Sequence, residues 1–592
     1  MPHRYAPTTA TPSLRLLPSA GLRSAFADGY GTRELRSDVL AGLVVGVVAL
    51  PLSMALAIAV GVPPQHGLYT AIVAGIIVPL LGGSRFQVTG PTAAFVVILA
   101  PIVSRFGISG LLIAGAMAGV ILIAMGLFRL GRLIQFIPHP VTTGFTAGIG
   151  TVIGVLQLKD LLGLVPTRSP DHFAERVHAL WDARGTASLP EFAIGIGTLA
   201  LLVLVPRISR RIPSPLLALP LAAVAGYWMH LHGTDVATIG SRFHSMIDGV
   251  RVDGIPRLPP LPLKPWALPP ELPVTLRTLR VLFPAALAIA VLGAIESLLS
   301  AVVADGMAGT KHDPDAELLA LGVGNVACPF FGGIAATGAI ARTATGIRYG
   351  SRSPISTVVH AFVVLAAVLA LAPLISYLPM ASLAALLLLV AWNMSEAKHF
   401  FHIVRVAPKS DVAVLLTCYF LTVVFDMVVA VTAGMILAAF LFMRRMAEVA
   451  SVQLVDDGHP HLKLKLPRDT VLYEVNGPLF FGAAEMAMDA FKAINARMRV
   501  LILQMSSVPA MDITGLVALE SALLRLRQQG VLTILTAVRP QPLTVLRNAG
   551  VQEEPGRLQF CATLEEAAAA ASAHVAAPAS AVAGHKHPLS AG

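Results

Sequence analysis

The sequence predicts a multi-pass α-helical membrane protein with a small α/β domain at its C-terminal side. Three observations carry that prediction. The 592 residues are 55% hydrophobic and only 13% charged, about half the charged fraction of a soluble domain, and the mean hydropathy is +0.75. Long apolar runs recur from Val39 to Met443. After Arg445 the pattern changes to short strand-like runs alternating with helical stretches, the signature of an α/β domain.

Residues 1–38 are polar, with Pro, Arg and Ser and without the apolar core of a cleavable leader, and read as a cytoplasmic N-terminal segment. The first apolar run, Val39 to Val60, can cross a hydrocarbon layer of about 30 Å. Further segments fall at 66–82, 91–104, 108–128, 139–157, 190–206, 214–230, 276–304, 316–331, 337–347, 354–375, 378–394, 409–425 and 427–443, fourteen in all with seven in each half. They define a membrane domain over 39–446. Basic residues crowd one set of short loops, among them Arg85, Arg129, Arg132, Arg207, Arg348 and Arg444. The positive-inside rule makes that side cytoplasmic and gives the two halves opposite orientations. The strands expected beyond are Val471–Val475, Val500–Met505 and Val531–Ala537, with helices over 483–498, 514–529 and 541–549. The α/β domain is assigned to 460–573 and a disordered tail to 574–592.

Two stretches, one in each half, echo one another. Pro79-Leu80-Leu81-Gly82-Gly83 precedes Thr89-Gly90-Pro91-Thr92-Ala93-Ala94, and Pro329-Phe330-Phe331-Gly332-Gly333 precedes Thr337-Gly338-Ala339-Ile340-Ala341-Arg342. A Gly/Pro break at membrane depth is costly unless the freed backbone lines a cavity or packs inside protein. Paired breaks in two inverted halves mark the binding site of a secondary transporter. Segments three and ten, which follow the breaks, are too short to span and read as half-helices. Their free N–H groups and dipoles attract anions. Pro91 is expected at the first helical position, where no donor is lost, and Thr337-Gly338 at the start of the second half-helix. The candidate substrate-binding residues are Thr89, Gly90, Thr92 and Ala93 on one side, and Thr337, Gly338, Ala339, Ile340 and Arg342 on the other.

Glu296, inside the apolar eighth segment, costs about 2.5–3.5 kcal/mol to insert and so faces a cavity or a partner. It is the candidate proton carrier, with Ser300 one turn on; the alternative is a neutral acid bonded to backbone. Asp305 reads as an interfacial carboxylate. Arg342 offers a planar fork suited to carboxylate, against the alternative of a cytoplasmic anchor. Ser53, Thr92, Ser300, Thr337 and Thr343 can supply hydroxyls, or bond within their own helices. Phe95, Phe330 and Phe331 line the site or simply pack. Cys328, Cys418 and Cys561 are far apart and odd in number, so neither a disulfide framework nor a zinc cluster is expected. His574, His585 and His587 have no Cys or acidic companions. No metal, cofactor or enzymatic chemistry is expected. The formal charge of +10 sits at helix ends, which argues against nucleic acid. In the α/β domain, Asp512 and Thr514 cap a helix or form a regulatory phosphorylation or docking site.

These motifs resemble the SulP/SLC26 anion transporters over about residues 30–570. Gly61 to Tyr69, Thr89 to Ala94, Gly293 to Leu299, Gly309 to His312, Gly332 to Thr345 and Trp392 to Glu396 carry the resemblance. Asp512 to Gly515 looks like the Asp-x-Ser/Thr-Gly turn of STAS domains, with Thr514 at the phosphorylated position. The resemblance implies a UraA/SLC26-like seven-plus-seven inverted repeat, a homodimer in the bacterial inner membrane, and cytoplasmic termini. Gly293 to Leu299 is most similar to the family's bacterial C4-dicarboxylic acid transporters, which implies proton-coupled uptake of succinate, fumarate or aspartate. Leu52 and Leu56 stand where many sulfate transporters carry Gln and Tyr. Glu296 and Ser300 stand where sodium-coupled bicarbonate transporters carry Asp and Thr. Sulfate or bicarbonate, with sodium as the coupling ion, is the alternative. A nucleobase carrier and a membrane-tethered signalling protein are more distant ones.

Overall fold

The computed structural model describes residues 18–132, 137–168, 170, 173–209, 213–247, 250–425, 427–449, 451–455, 466–480 and 498–576. Two compact units are present, Met1–Met435 and Ile436–Gly592.

In the first unit a short helix α1 (Ala20–Ala27) precedes α2 (Thr32–Val60) and α3 (Pro64–Leu81). A two-residue strand β1 (Thr89–Gly90) leads into α4 (Ala93–Leu127), which holds predicted segments three and four and is broken at Gly107, where φ is 65°. Then come α5 (His139–Leu161), α6 (Phe173–Asp182), α7 (Leu189–Ile208), α8 (Ser214–Leu231), the single turn α9 (Ile239–Arg242) and the hairpin β2 (His244–Ile247)–β3 (Val250–Asp253). The second half follows the same plan: α10 (Leu276–Ala308), α11 (Pro314–Ala327), strand β4 (Thr337–Gly338), α12 (Ile340–Arg348), α13 (Ile355–Ile375), α14 (Met380–Ser395), α15 (Ala397–Val406) and α16 (Lys409–Val424), with α17 (Met427–Val449) continuing from this unit into the second. Each of the fourteen predicted apolar stretches holds helix. Among the described residues, ten spans are long and apolar enough to cross a membrane. α11, α12 and α16 are shorter, and segments three and four run together in α4.

Helix starts follow local chemistry. Pro64 and Pro314 occupy first positions in α3 and α11, where no intrahelical donor is lost. The Asp313 carboxylate caps α11 by accepting from the N–H groups of Asp315 and Ala316, at 3.0 and 3.2 Å. α3 is buried along most of its length.

The second unit contains a five-stranded sheet in the order β5 (Ser451–Val455), β6 (Thr470–Asn476), β7 (Val500–Ser507), β8 (Leu532–Thr536), β9 (Leu558–Cys561). β5 is antiparallel to β6 and the remaining pairs are parallel. Leu501, Leu503 and Met505 face α18 (Ile513–Gln528) and α19 (Pro540–Asn548), whereas Val500 and Ile502 face α20 (Leu564–Ala576). Burial on both faces explains why the central strands read as continuous apolar runs. The sheet begins before residue 460 and the last helix ends after 573, so His574 belongs to helix rather than tail. The helix expected over 483–498, and His585 and His587 in the expected tail, lie outside the described residues apart from Met498.

Candidate functional site

The two breaks meet. β1 and β4 pair antiparallel, Thr89 opposite Gly338 and Gly90 opposite Thr337. This two-residue ladder joins the halves and brings the starts of α4 and α12 together. At either glycine of the ladder a side chain would run into a neighbouring side chain. A Cβ on Gly338 would lie 2.4 Å from Gln87 Nε2, and one on Gly90 would lie 2.7 Å from Arg342 Nη1.

The boundaries differ from expectation by about two residues. Thr92 is the N-cap of α4 and Ala93 its first residue, so Pro91 lies ahead of the helix rather than at its first position. Ala339 is the N-cap of α12 and Ile340 its first residue, so Thr337-Gly338 belongs to the ladder and does not open the helix. The competing interaction is main-chain pairing between the halves. Neither helix start has a side-chain cap. The first N–H groups of each helix therefore have no intrahelical partner and no cap. The N–H of Ala339, expected to bind substrate, instead donates to the Val88 carbonyl at 2.8 Å.

One face of α10 lies behind the ladder. Thr337 donates its hydroxyl to the Gly293 carbonyl at 2.8 Å, and Gln87 Nε2 donates to Ser297 Oγ. Thr92 donates to Glu296 Oε2 at 2.7 Å, which explains why Thr92 does not cap its own helix. Ser300 donates to Thr343 Oγ1 at 3.2 Å, and that oxygen also accepts the Val88 N–H at 3.0 Å. Ser300 thus fastens α12 and the ladder to α10. Glu296 is partly exposed, in contrast to the buried Ser297 and Ser300.

Arg342 is 2% exposed, so it does not reach out to an aqueous anchor. Nη2 donates to the Pro91 carbonyl in the other half, while Nε and Nη1 have no hydrogen-bond partner. Arg342 and Glu296 interact electrostatically. A buried guanidinium with unused donors beside two uncapped helix starts is a positive, donor-rich locus, and a carboxyl adjoins it.

Two side chains and one main-chain group at this locus were not singled out from the sequence. Gln87 holds Ser297 and, through its carbonyl, accepts from Thr357 at 3.1 Å. The Pro91 carbonyl is invisible to side-chain reasoning. His360 on α13 is fully buried and lies within electrostatic reach of Arg342. A lone His in the apolar run Ile355–Ile375 was the available signal for it.

Other candidates lie elsewhere. Asp305 closes the turn after α10, accepting from Thr310 Oγ1 at 2.9 Å and the His312 N–H at 2.9 Å and pairing with His312 Nδ1 at 2.7 Å. Phe95 packs where α10 is narrowed by Gly293. Phe330 sits edge-on to Trp266 and Phe331 packs near α3, so both serve packing. Buried Ser53 has no hydrogen-bond partner. In the second unit Asp512 Oδ1 accepts the Gly515 N–H at 2.8 Å and caps α18, with Thr514 exposed in the first turn. Among the described residues no group of three or more His, Cys, Asp or Glu is placed to hold a metal ion.

The sulfate permease family model matches residues 35–418, and the STAS domain model matches residues 461–567. The chain belongs to the sulfate permease family. YvdB of Bacillus subtilis, provisionally named a sulfate transporter, is a family relative 40% identical over 534 residues, covering 90% of this chain and 97% of its own length. The bicarbonate transporter BicA of Picosynechococcus sp. is 30% identical over 519 residues, covering 83% and 86%. The murine Slc26a9 anion transporter, solved in its inward-facing state, superposes with a TM-score of 0.81 at 18% identity over 96% of each chain, a likeness of fold. These relatives bear sulfate, bicarbonate or anion in their names. The expected C4-dicarboxylate cargo has no support among them.

Proposed function

We propose that this member of the sulfate permease family is a secondary active transporter for a small inorganic oxyanion, sulfate or bicarbonate, with Glu296 carrying the coupling proton. The observation that supports it most is the meeting of two uncapped half-helix starts beside Arg342. Such starts bind anions through main-chain N–H groups at the point where broken helices cross. The anion bridges the N–H groups that begin at Ala93 and at Ile340, and Arg342 adds a full charge from behind Gly90. A dicarboxylate would need a second cationic partner for its far end. Arg342 already spends one nitrogen on the Pro91 carbonyl, which favours the smaller cargo.

Glu296 touches the site through Thr92, so the occupancy of the α4 start and the protonation of Glu296 are linked. When the acid is neutral, the anion meets less repulsion; when it ionises, the anion is expelled. The wider reading is a homodimer in the bacterial inner membrane with both termini and the STAS domain cytoplasmic, Thr514 being the site at which a cytoplasmic partner or phosphorylation acts.

Uptake of labelled sulfate, bicarbonate and succinate into proteoliposomes, with imposed proton or sodium gradients, tests the proposal. Saturable sulfate or bicarbonate uptake stimulated by an inward proton gradient is expected. Succinate uptake alone would restore the dicarboxylate reading, and sodium dependence without pH dependence would remove the proton role.

A further inference from the structure

The Gly-Gly elements lie outside the ladder, yet each is gripped by the opposite repeat. The first turns of α11 carry Glu317, which is 1% exposed. Its Oε2 accepts the N–H groups of both Gly83 and Ser84, each at 2.9 Å. The first turn of α3 carries buried His66, whose Nδ1 lies 2.6 Å from the Gly332 carbonyl oxygen. A carbonyl only accepts, so Nδ1 bears the proton and donates. Thr70, one turn on, places its hydroxyl 2.8 Å from the His66 carbonyl and 3.1 Å from the Ile334 carbonyl.

The glycines are required by these approaches. A Cβ on Gly83 would lie 2.0 Å from the Asp313 carbonyl oxygen, and one on Gly82 would lie 2.8 Å from Glu317 Oε2. One on Gly333 would lie 3.2 Å from Thr70 Cα. The two contacts obey the same inversion as the half-helices. In each, the N-terminal part of the second helix of one repeat holds the exit of the second helix of the other. Each exit runs within a few residues into β1 or β4 and then into a half-helix start.

We propose that Glu317 and His66 are positioning residues for anion transport, each fixing from the opposite repeat the linker that sets where a half-helix start lies. The proposal rests on the reading of those starts as the anion site. One buried carboxyl oxygen satisfies two main-chain N–H groups, and loss of it leaves both donors buried and unmet. A binding constellation displaced by about 1 Å loses much of its function. Glu317 and His66 touch no anion; their effect passes through the linkers.

The test uses the full chain with Glu317→Leu, Glu317→Gln, His66→Leu and His66→Gln. Glutamine retains an acceptor at 317 and a donor at 66, and so serves as the conservative variant. Hydrogen exchange is followed in peptides covering 83–96 and 332–343, with α13 as the internal reference. KM for labelled sulfate and bicarbonate is measured in proteoliposomes. Glu317→Leu is expected to speed exchange in 83–96 about tenfold or more, and His66→Leu to do so in 332–343. Each should leave the other linker and α13 unchanged and raise KM more than it lowers the maximal rate, with the Gln variants intermediate. Exchange that rises equally in α13, exchange unchanged in both linkers, or a wild-type KM in a variant with a loosened linker would overturn the proposal. A wild-type protein inert toward both anions, with the exchange pattern as expected, would overturn the anion reading and not the linker contacts.

Discussion

Arg342 shows how much a single residue's surroundings decide. From the sequence it read as an anion ligand, with a cytoplasmic anchor as the alternative; burial and the bond to the Pro91 carbonyl speak against the anchor. Arg342→Ala is expected to lower oxyanion uptake at least tenfold, about 1.4 kcal/mol or more in transition-state terms, without loss of folded protein by size-exclusion chromatography. Arg342→Lys should recover part of the loss, since a point charge cannot span both Pro91 and an anion as the planar fork does. For Glu296 the linked prediction concerns pH. In wild type, uptake is expected to rise as external pH falls, because on the proposed reading the neutral acid admits the anion. Glu296→Gln mimics the neutral form at every pH, so initial uptake persists while the pH dependence and gradient-driven accumulation vanish; a pH–rate profile parallel to wild type would exclude Glu296 as the proton carrier. The sequence supplied both residues because a charge inside an apolar segment stands out. It did not supply Gln87 or the Pro91 carbonyl, whose partners Ser297 and Arg342 lie more than two hundred positions away and leave no local pattern.

Among the elements, the half-helices were legible as broken apolar segments, but the ladder between them was not. β1 and β4 are two residues each, too short to show a period of two. Their pairing displaced both predicted helix starts by about two residues. It also turned Thr337-Gly338 from helix opener into strand. The ladder's tolerance is a prediction in its own right. Gly338→Ala would place a methyl 2.4 Å from Gln87 Nε2 and 3.0 Å from Ser297 Cα, an overpacking expected to cost about 1–3 kcal/mol and to lower the thermal midpoint in detergent. Gly306→Ala, on an exposed part of α10 with nothing within 4 Å of the new atom, should be neutral or gain up to about 1 kcal/mol through helix propensity. Equal effects at the two sites would contradict the close-approach account of the ladder. In the second unit the central strands were legible as apolar runs. β5 and the short β9 were missed because neither is buried on both faces, so neither forms such a run.

At the scale of the whole molecule, the two repeats pair their broken segments through the β1–β4 ladder, and Glu317 and His66 each bond from one repeat to the linker of the other. This mutual support explains why the Gly-Gly echo accompanies the Thr-Gly echo: the first permits the cross-repeat grip and the second permits the ladder. It also gives alternating access a physical basis, because a site shared by both repeats can be carried as one body while its surroundings change sides. In the proposed site, main-chain N–H groups of both half-helices hold the anion, a contact that can be probed by removing one amide at a time while keeping each helix. Ala93→Pro and Ile340→Pro place proline at first helical positions, where the helix tolerates it, behind extended N-caps that suit the residue preceding proline. The measurement is equilibrium binding of labelled sulfate and bicarbonate to the purified full-length protein. Each substitution is predicted to weaken binding of the transported anion about tenfold with the fold intact, whereas wild-type affinity in both variants would contradict the account.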